Sequence, residues 1–370
     1  MTPSEKVASR YADLFVELFD SIESDPGRPL VISGQFPQQN VDGVPFNGSN
    51  AMLASLVASQ RGYNMPVWLT MKRKDELGLK VNAGEHSIPI VHYDVYYEDV
   101  NTKKRDPAMN DTLYATLTDD EKKNWVKRCY MNCYPEFNIA QTNFAEIYPE
   151  QMKELTSVFG EPVQTHAENP ILDSTIKDNN KWLCPIIETD GTDFTYNEAY
   201  DEINVPSKAV YNNENRYYGD FLYILARSTG SEGRMDRDIN SGDLSHAAHE
   251  ELISELASAT LSTLAGVQSC IQEHNLANLK SWVNAIKADP TVIYKAVNDA
   301  AKASDLVSTT LGLELRKGFN VQKVMDGVEE AQNARKTAQR KREQRTSKSN
   351  KKHHKNWKPI KAGTNKPKIL

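Results

Sequence analysis

The segment from His246 to Glu251 concentrates side chains that bind zinc in proteins, with two His and two Glu. A peptidase of the H-E-x-x-H type needs two His four residues apart on one helix, with a Glu beside the first as general base. His249 and Glu250 meet the first half of that motif, but Ile253 stands where the second His is required. These residues are therefore expected in the exposed first turn of a helix. The alternative is a metallopeptidase with His246, His249 and Glu250 as unconventional ligands.

A second group of residues is suited to single-stranded nucleic acid. Trp68 lies just before a run of cations, and Phe46 and Tyr63 lie close to it in the chain. The cations are Lys72, Arg73, Lys74 and Lys80. Bases stack on aromatic faces while cations follow the phosphates, and each stacked base contributes on the order of 1–3 kcal/mol. The alternative is that Trp68 is a core residue and the cations form a solvated helix face.

Two helices are predicted in the first part of the chain. Residues 2–5 have the S/T-x-x-E form of a capping box with Pro at the first helical position, so a helix begins there. Asn50 is the predicted N-cap of the second helix, which ends at about Arg61 with Gly62 in the C′ position. The first helix is expected to bury one apolar stripe, which consists of Val7, Tyr11, Leu14, Phe15, Leu18, Phe19 and Ile22.

Further elements follow from turn and capping patterns. Residues 67–70 are rich in strand formers. Residues 79–97 predict a hairpin that turns at 82–84. A second capping box, at residues 118–121, predicts a helix that reaches about Cys133. The first part of the chain is therefore expected to mix helices and strands.

The composition bounds the class of protein. A length of 370 residues suffices for two domains. No stretch approaches eighteen consecutive apolar residues, and the first residues lack the basic start and apolar run of a signal peptide, so a soluble protein without a membrane partner is expected. Four scattered cysteines do not make a disulfide framework, which favours the cytoplasm.

The charge is distributed unevenly along the chain. Between Arg335 and Leu370 there are fourteen Lys or Arg and one Glu, a net charge of +13, whereas the rest carries 30 basic and 49 acidic residues, a net charge of −19. Residues 331–370 are therefore predicted to be a disordered basic tail that binds a polyanion, with contacts from Arg340, Lys341 and Arg342. The alternative is a solubilising tail without a specific role.

Several motifs before residue 148 carry a family resemblance. They are the turn with Gly48 and Asn50, Trp68-Leu69-Thr70, the run Lys72 to Lys74, Val81-Asn82-Ala83-Gly84-Glu85, and Phe137-Asn138-Ile139-Ala140-Gln141. Their order and spacing resemble the N-terminal single-stranded-DNA-binding domain of the ArdC-type antirestriction proteins, which phages, plasmids and conjugative elements carry. The resemblance implies an α+β domain over residues 1–148, with DNA contacts from Asn47, Asn50, Trp68, Lys72, Arg73, Lys74 and Lys80.

The next part of the chain, from about Phe194 to Asp305, resembles the zincin-like metallopeptidase domain of the same family. The matching stretches are residues 200–206, Tyr217-Tyr218, Thr229-Gly230, 234–238 and 250–255. The resemblance implies a mainly helical zincin-like domain over residues 160–330.

The zinc motif itself is altered. In the family, H-E-x-x-H lies just before the Thr-Gly pair, and those three positions are held here by Tyr223, Ile224 and Arg227. A guanidinium repels Zn²⁺ and stays protonated, and Ile transfers no proton. Glu251 or Glu255, which would lie near the metal in an active relative, is expected to pair with Arg227. That ion pair would replace the metal as the link between two helices.

Together these patterns predict an α+β fold: an N-terminal DNA-binding domain, a mainly helical zincin-like domain and a basic tail. The predicted function is single-stranded DNA binding for a phage or mobile element, in antirestriction or DNA protection. The peptidase-like domain is expected to lack catalytic residues, metal and cofactor, and to act as a scaffold or as a docking surface for a host protein. A structural protein associated with nucleic acid is a further alternative.

Overall fold

The computed structural model describes residues 3–25, 30, 36–160, 168–178, 181–211, 214–237, 244–267, 270–314 and 318–324. The predicted basic tail, with Arg340, Lys341 and Arg342, lies outside these residues. The helices are α1 Pro3–Ser24, α2 Gly48–Arg61, α3 Met71–Glu76, α4 Asp111–Thr116, α5 Asp119–Lys122, α6 Phe144–Ile147, α7 Pro149–Phe159, α8 Pro170–Lys177, α9 Glu214–Ser228, α10 Leu244–Ala265, α11 Leu279–Ala288 and α12 Thr291–Leu311. The strands are β1 Gln39–Asn40, β2 Val67–Thr70, β3 Ile88–Asp99, β4 Trp125–Asn138, β5 Ile186–Thr189, β6 Thr195–Asn197 and β7 Glu202–Pro206. The arrangement confirms the α+β class.

Helix α1 buries the stripe predicted for it. Each of the seven stripe residues is at most 4% exposed. The helix packs against α11 and α12, where the Tyr11 ring meets Tyr294 edge-on at 5.5 Å and Phe19 lies 5.5 Å from Trp282. The start of the chain therefore shares a core with helices near residue 300.

The first sheet has the strand order β1-β2-β4-β3. Strand β3 pairs antiparallel with β4 over twelve residues, from Ile88 opposite Glu136 to Asp99 opposite Trp125. The predicted hairpin over 79–97 is therefore wrong, since the partner of β3 comes from later in the chain. The turn itself is present, because Gly84 has φ +84° and Glu85 N donates to Asn82 O over 3.2 Å.

The helix predicted from residue 118 to Cys133 is also wrong. The capping box is present, with hydrogen bonds between Thr118 and Glu121 in both directions, but the helix it opens ends at Lys122. Residues 125–138 instead form β4, which pairs with both β2 and β3. A capping box fixes where a helix begins and not how far it runs, and here the sheet decides the continuation.

The second sheet has the order β5-β7-β6. Helix α9 packs against β6 and β7 on one side and against α10 on the other. Helix α10 in turn contacts α12 and α2. These contacts place α9 between the small sheet and the helical core.

The described residues up to Asn320 belong to one compact unit. The boundaries predicted near residues 148, 160 and 330 remain predictions. Within the described ranges, no helix has the length and apolar character needed to cross a bilayer.

Candidate functional site

Helix α9 carries the three residues that stand at the zinc-motif positions. Tyr223 and Ile224 are buried, at 4% and 3% exposure. The side chain of Arg227 is 19% exposed. One helical turn separates Tyr223 from Arg227, so both reach the same neighbour on α10. That neighbour is Glu251.

Glu251 joins α9 to α10. Its Oε1 lies 2.6 Å from Arg227 Nη1. Its Oε2 accepts hydrogen bonds from the Tyr223 hydroxyl and from Asn275 Nδ2, the latter over 3.2 Å. The ion pair expected from the sequence is therefore present, and Glu251 rather than Glu255 is the partner of Arg227.

Glu255 lies one helical turn further along α10 and is fully buried. Its Oε1 accepts hydrogen bonds from Gln272 N at 2.8 Å and from Asn275 Nδ2 at 2.9 Å. Burial raises the pKa of the Glu255 carboxyl to about 8. The Oε2 atom has no acceptor or donor within reach among the described residues. Burial therefore favours the neutral, protonated acid over the carboxylate.

The raised pKa of Glu255 predicts a pH-dependent stability. The unfolded chain releases this proton near pH 4.5 and the folded chain near pH 8. Folding therefore becomes less favourable as the pH rises between those two values. Thermal melts should show a Tm that falls by at least about 2–4 °C between about pH 5 and 8.5, equivalent to about 1 kcal/mol. Glu255→Gln should flatten this slope. The same change at exposed Glu273 is the control and should leave the slope as in the wild type; an unchanged slope in Glu255→Gln would contradict the assignment.

A cleft of about 960 Å³ opens beside Tyr223 and Arg227. Strand β6 borders it, with Phe194 just before the strand. The charged and polar lining includes Arg216, Asp220, Arg227, Glu251, Gln272 and His274. Its volume lies within the range of small-molecule and peptide sites, about 300–1,000 Å³.

The residues of this cleft do not fit a zinc ion. Zinc is bound by Cys, His and carboxylate side chains. Here Tyr223, Ile224 and Arg227 hold the motif positions, and the Glu251 carboxylate is neutralised by the Arg227 guanidinium. In the part of the chain that the structure describes, no group of three or more His, Cys, Asp or Glu side chains is arranged to hold a metal ion.

The segment His246 to Glu251 lies in α10. Glu250 is 1% exposed, and its Oε2 lies 2.9 Å from Nε of buried Arg237. Burial lowers the pKa of His249. The expectation that these are exposed residues of a first turn is therefore wrong, since Glu250 is buried and both His side chains are half-buried. The Glu250 carboxylate is part of an internal ion pair.

Trp68 is also placed differently from its predicted role. The ring is 0% exposed, and its Nε1 donates to Gln38 Oε1 over 2.7 Å. The Tyr63 ring meets it edge-on at 6.3 Å. A ring enclosed in this way has no open face for a base, so the stacking role predicted for Trp68 does not hold in this conformation.

The prediction that Asn50 is the N-cap of α2 is wrong, because the helix begins at Gly48 and its N-cap is Asn47. The end of α2 is as predicted, with Gly62 at φ +68°. The Asn50 amide instead ties α2 to β3, since Nδ2 donates to Val91 O over 2.7 Å and Oδ1 accepts from Val91 N over 2.9 Å.

The predicted cations differ in exposure. The side chain of Lys72 is 87% exposed, whereas those of Arg73 and Lys74 are 24% and 12% exposed. Arg73 is held by Glu76 at 2.9 Å, and Lys74 by Asp75 at 2.5 Å. Lys72 and Lys80 are therefore the predicted cations that are exposed to solvent.

Four of the predicted DNA-binding residues meet at a second cavity, of about 480 Å³. They are Asn47, Asn50, Trp68 and Arg73. The sequence analysis did not identify Glu136 and His92, which also line it. No sequence signal pointed to Glu136, because strand β4, which carries it, was not predicted.

Two family models match the chain. Residues 13–137 match the N-terminal domain of anti-restriction factor ArdC, and residues 184–299 match a zincin-like metallopeptidase. The crystal structure of the antirestriction ArdC protein from plasmid R388 in its metal-free form is 25% identical, with a TM-score of 0.57 over 83% of this chain and 99% of that chain. Its Mn(II)-bound structure is 24% identical, with a TM-score of 0.56 over 81% of this chain and 97% of that chain.

Longer relatives match as well. DNA primase TraC of Escherichia coli is 28% identical over 84% of this chain and 27% of its own length, and a second TraC is 26% identical over 76% of this chain and 18% of its own length. The uncharacterized protein y4eC of Sinorhizobium fredii is 24% identical over 70% of this chain and 76% of its own. The chain thus spans about a quarter or less of the TraC proteins.

The fold and the site define a class: an α+β domain combined with a zincin-like domain whose metal-motif positions are Tyr, Ile and Arg. Both family matches and the ArdC structures agree with that combination. The matches to both family models and to the ArdC structures support an ArdC-type protein.

Proposed function

We propose that this chain is a single-stranded-DNA-binding protein that protects the DNA of a phage or mobile element, as an antirestriction factor in the host cytoplasm. The observation that carries the proposal is the polar cavity with Asn47, Asn50 and Arg73, in the region that matches the ArdC N-terminal domain. Exposed Lys72 and Lys80 lie in the same region and would follow phosphates.

The zincin-like domain, in this proposal, works without a metal. Its support is the Arg227–Glu251 ion pair at the motif positions. The domain would serve as a scaffold or as a docking surface for a host protein. Elemental analysis and a chelator-sensitive protease assay test this part, and stoichiometric zinc with proteolysis would instead support the metallopeptidase alternative.

The basic tail adds non-specific affinity in this proposal, through Arg340, Lys341, Arg342 and the other cations of residues 331–370. Each phosphate neutralised releases counterions, so the tail would make binding depend steeply on salt. If the tail only solubilises the protein, its removal would leave the salt dependence of binding unchanged.

Gel-shift titrations of the full chain across a salt series test the proposal. Binding to single-stranded DNA should be tighter than to duplex and should weaken a few hundredfold between about 50 and 200 mM salt if about six phosphates are contacted. A chain ending at residue 334 should retain the preference for single strands with a shallower slope. Equal affinity for both forms, or none, would reject single-strand binding.

A further inference from the structure

The cavity of about 480 Å³ lies where α2, α3 and the first sheet meet. Its rim includes Val44, which is 58% exposed, and exposed Asn47 and His92. Its inner lining includes Trp68 and Glu136, at 0% and 3% exposure. The cavity is therefore open to solvent on one side and lined by both apolar and polar groups on the other.

Glu136 is a buried carboxyl that the fold leaves without full compensation. It lies in β4, the inner strand between β2 and β3, opposite Thr70 and Ile88. Its Oε2 has no hydrogen-bond partner among the described residues. Burial raises the pKa of this carboxyl to about 7. A buried acceptor without a partner is costly, so such groups in native proteins often belong to a binding site.

Arg73 supplies a donor on the same cavity. Its Nε is buried and has no hydrogen-bond partner among the described residues, while its Nη1 is held by Glu76 over 2.9 Å. Thr70 caps α3 by accepting from Arg73 N over 3.1 Å, and Thr70 lies opposite Glu136 in the sheet. An unsatisfied acceptor and an unsatisfied donor are thus fixed on neighbouring elements.

The chemistry of this lining suits a flat heterocycle with both donors and acceptors on one edge. The half-buried Phe46 side chain supplies apolar contact. A carboxylate accepts from an exocyclic amino group, and a guanidinium donates to a ring nitrogen or carbonyl. Unpaired bases present these groups on their Watson–Crick edges. Thymine lacks the exocyclic amino group.

The geometry points to a nucleobase pocket: one unpaired cytosine, adenine or guanine enters this cavity, donates its amino group to Glu136 and accepts from Arg73. This inference rests on the proposed single-strand binding and adds a base preference to it. Lys72 and Lys80 on the surface would hold phosphates without regard to sequence.

Fluorescence anisotropy with the full chain tests the pocket. The probes are labelled oligo-dT and the same oligomer with one central dC, dA or dG. The wild type should bind at least one substituted oligomer more tightly than oligo-dT by at least about fivefold, the lower bound for a good pair of base contacts. Glu136→Gln should reduce this preference, measured as the ratio of the affinity for the substituted oligomer to the affinity for oligo-dT.

Two further variants make the test specific to the pocket. Glu146→Gln alters an exposed carboxylate of the same region and should behave as the wild type. Arg73→Lys keeps the positive charge but loses the Nε donor, so it should also reduce the preference. Circular dichroism should show that all the variants are folded. For Glu136→Gln this is expected because the substitution removes a buried ionisable group.

The outcomes separate the two proposals. Equal wild-type affinity for all the oligomers, or a preference that Glu136→Gln and Arg73→Lys both leave intact, overturns the pocket and leaves single-strand binding standing. No binding to any oligomer overturns the proposed function and this inference with it.

Discussion

Replacing Trp68 by Ala is expected to lower the free energy of unfolding by about 3–5 kcal/mol, the range for removing a large aromatic side chain from a core. The ring is fully buried, packs against Tyr63 and donates to Gln38. The substitution would leave a cavity and an unpaired Gln38 oxygen. Chemical denaturation followed by circular dichroism measures the change.

Two other variants separate packing from DNA contact. Trp68→Phe keeps most of the apolar contact and loses the hydrogen bond, so it should cost about 1 kcal/mol beyond the smaller ring. Trp125→Ala removes a partly exposed ring at the other end of the same sheet and should cost less than Trp68→Ala. If Trp68→Ala kept wild-type stability and lost only affinity for single strands, base stacking would be the correct role after all.

The burial of Trp68 shows what the sequence could not specify. Cations after an aromatic residue are typical of a nucleic-acid surface, but Val67, Trp68 and Leu69 are all 0% exposed. A strand buried on both faces has no alternation, so its sequence does not reveal which side chain faces solvent. It depends on which later and earlier elements pack against the sheet.

Motif residues are also hard to interpret from the sequence, because some of them stabilise the fold. Glu85 and Gln141 come from separate motifs, and Gln141 Nε2 donates to Glu85 Oε2 over 2.8 Å. Asn138 Nδ2 donates to Met65 O over 2.7 Å. Such contacts give these motif residues a structural role that does not involve DNA. The family motifs therefore single out residues without specifying what each of them does.

Local signals succeeded where the cause was local. The α1 stripe and the Gly62 terminus of α2 depend on helix periodicity and on one positive φ angle. The course of residues 122–138 depended on strand β3, whose residues lie 26 to 48 positions before their partners in β4, and the capping box carried no information about it. The predicted α+β class is nevertheless confirmed, because the predicted and the observed elements both include helices and strands.

The degenerate metal position was predictable as well, because motif spacing is a local property. Counting back from Thr229 gave Tyr223, Ile224 and Arg227. The expected carboxylate partner was Glu251 or Glu255, and the structure shows Glu251. Two neighbours were not predicted: Asn275, which donates to both glutamates, and Gln272, whose backbone N donates to Glu255. They come from the segment after α10, whose path no local pattern indicates.

Replacing Arg227 by Met should lower the free energy of unfolding by about 3 kcal/mol, the lower end of the range for breaking a buried ion pair. Both side chains are less than one fifth exposed, at 19% and 17%. Glu251 would remain inside without its cation, although hydrogen bonds from Tyr223 and Asn275 still reach it. Those remaining bonds are why the lower end applies. Chemical denaturation is the measurement.

A double-mutant cycle shows whether the pair itself links the helices. Glu251→Leu alone leaves a buried guanidinium without its anion. The double variant, Arg227→Met with Glu251→Leu, leaves no unpaired charge and should recover part of the lost stability, with a coupling free energy of about 1–3 kcal/mol. Lys302→Met is the control, because its pair with Asp299 is at the surface, at 68% and 33% exposure, and should change stability by less than about 1 kcal/mol. Wild-type stability in Arg227→Met would mean that α9 and α10 are held by apolar packing, and that arginine fills the metal position without replacing the metal's structural role.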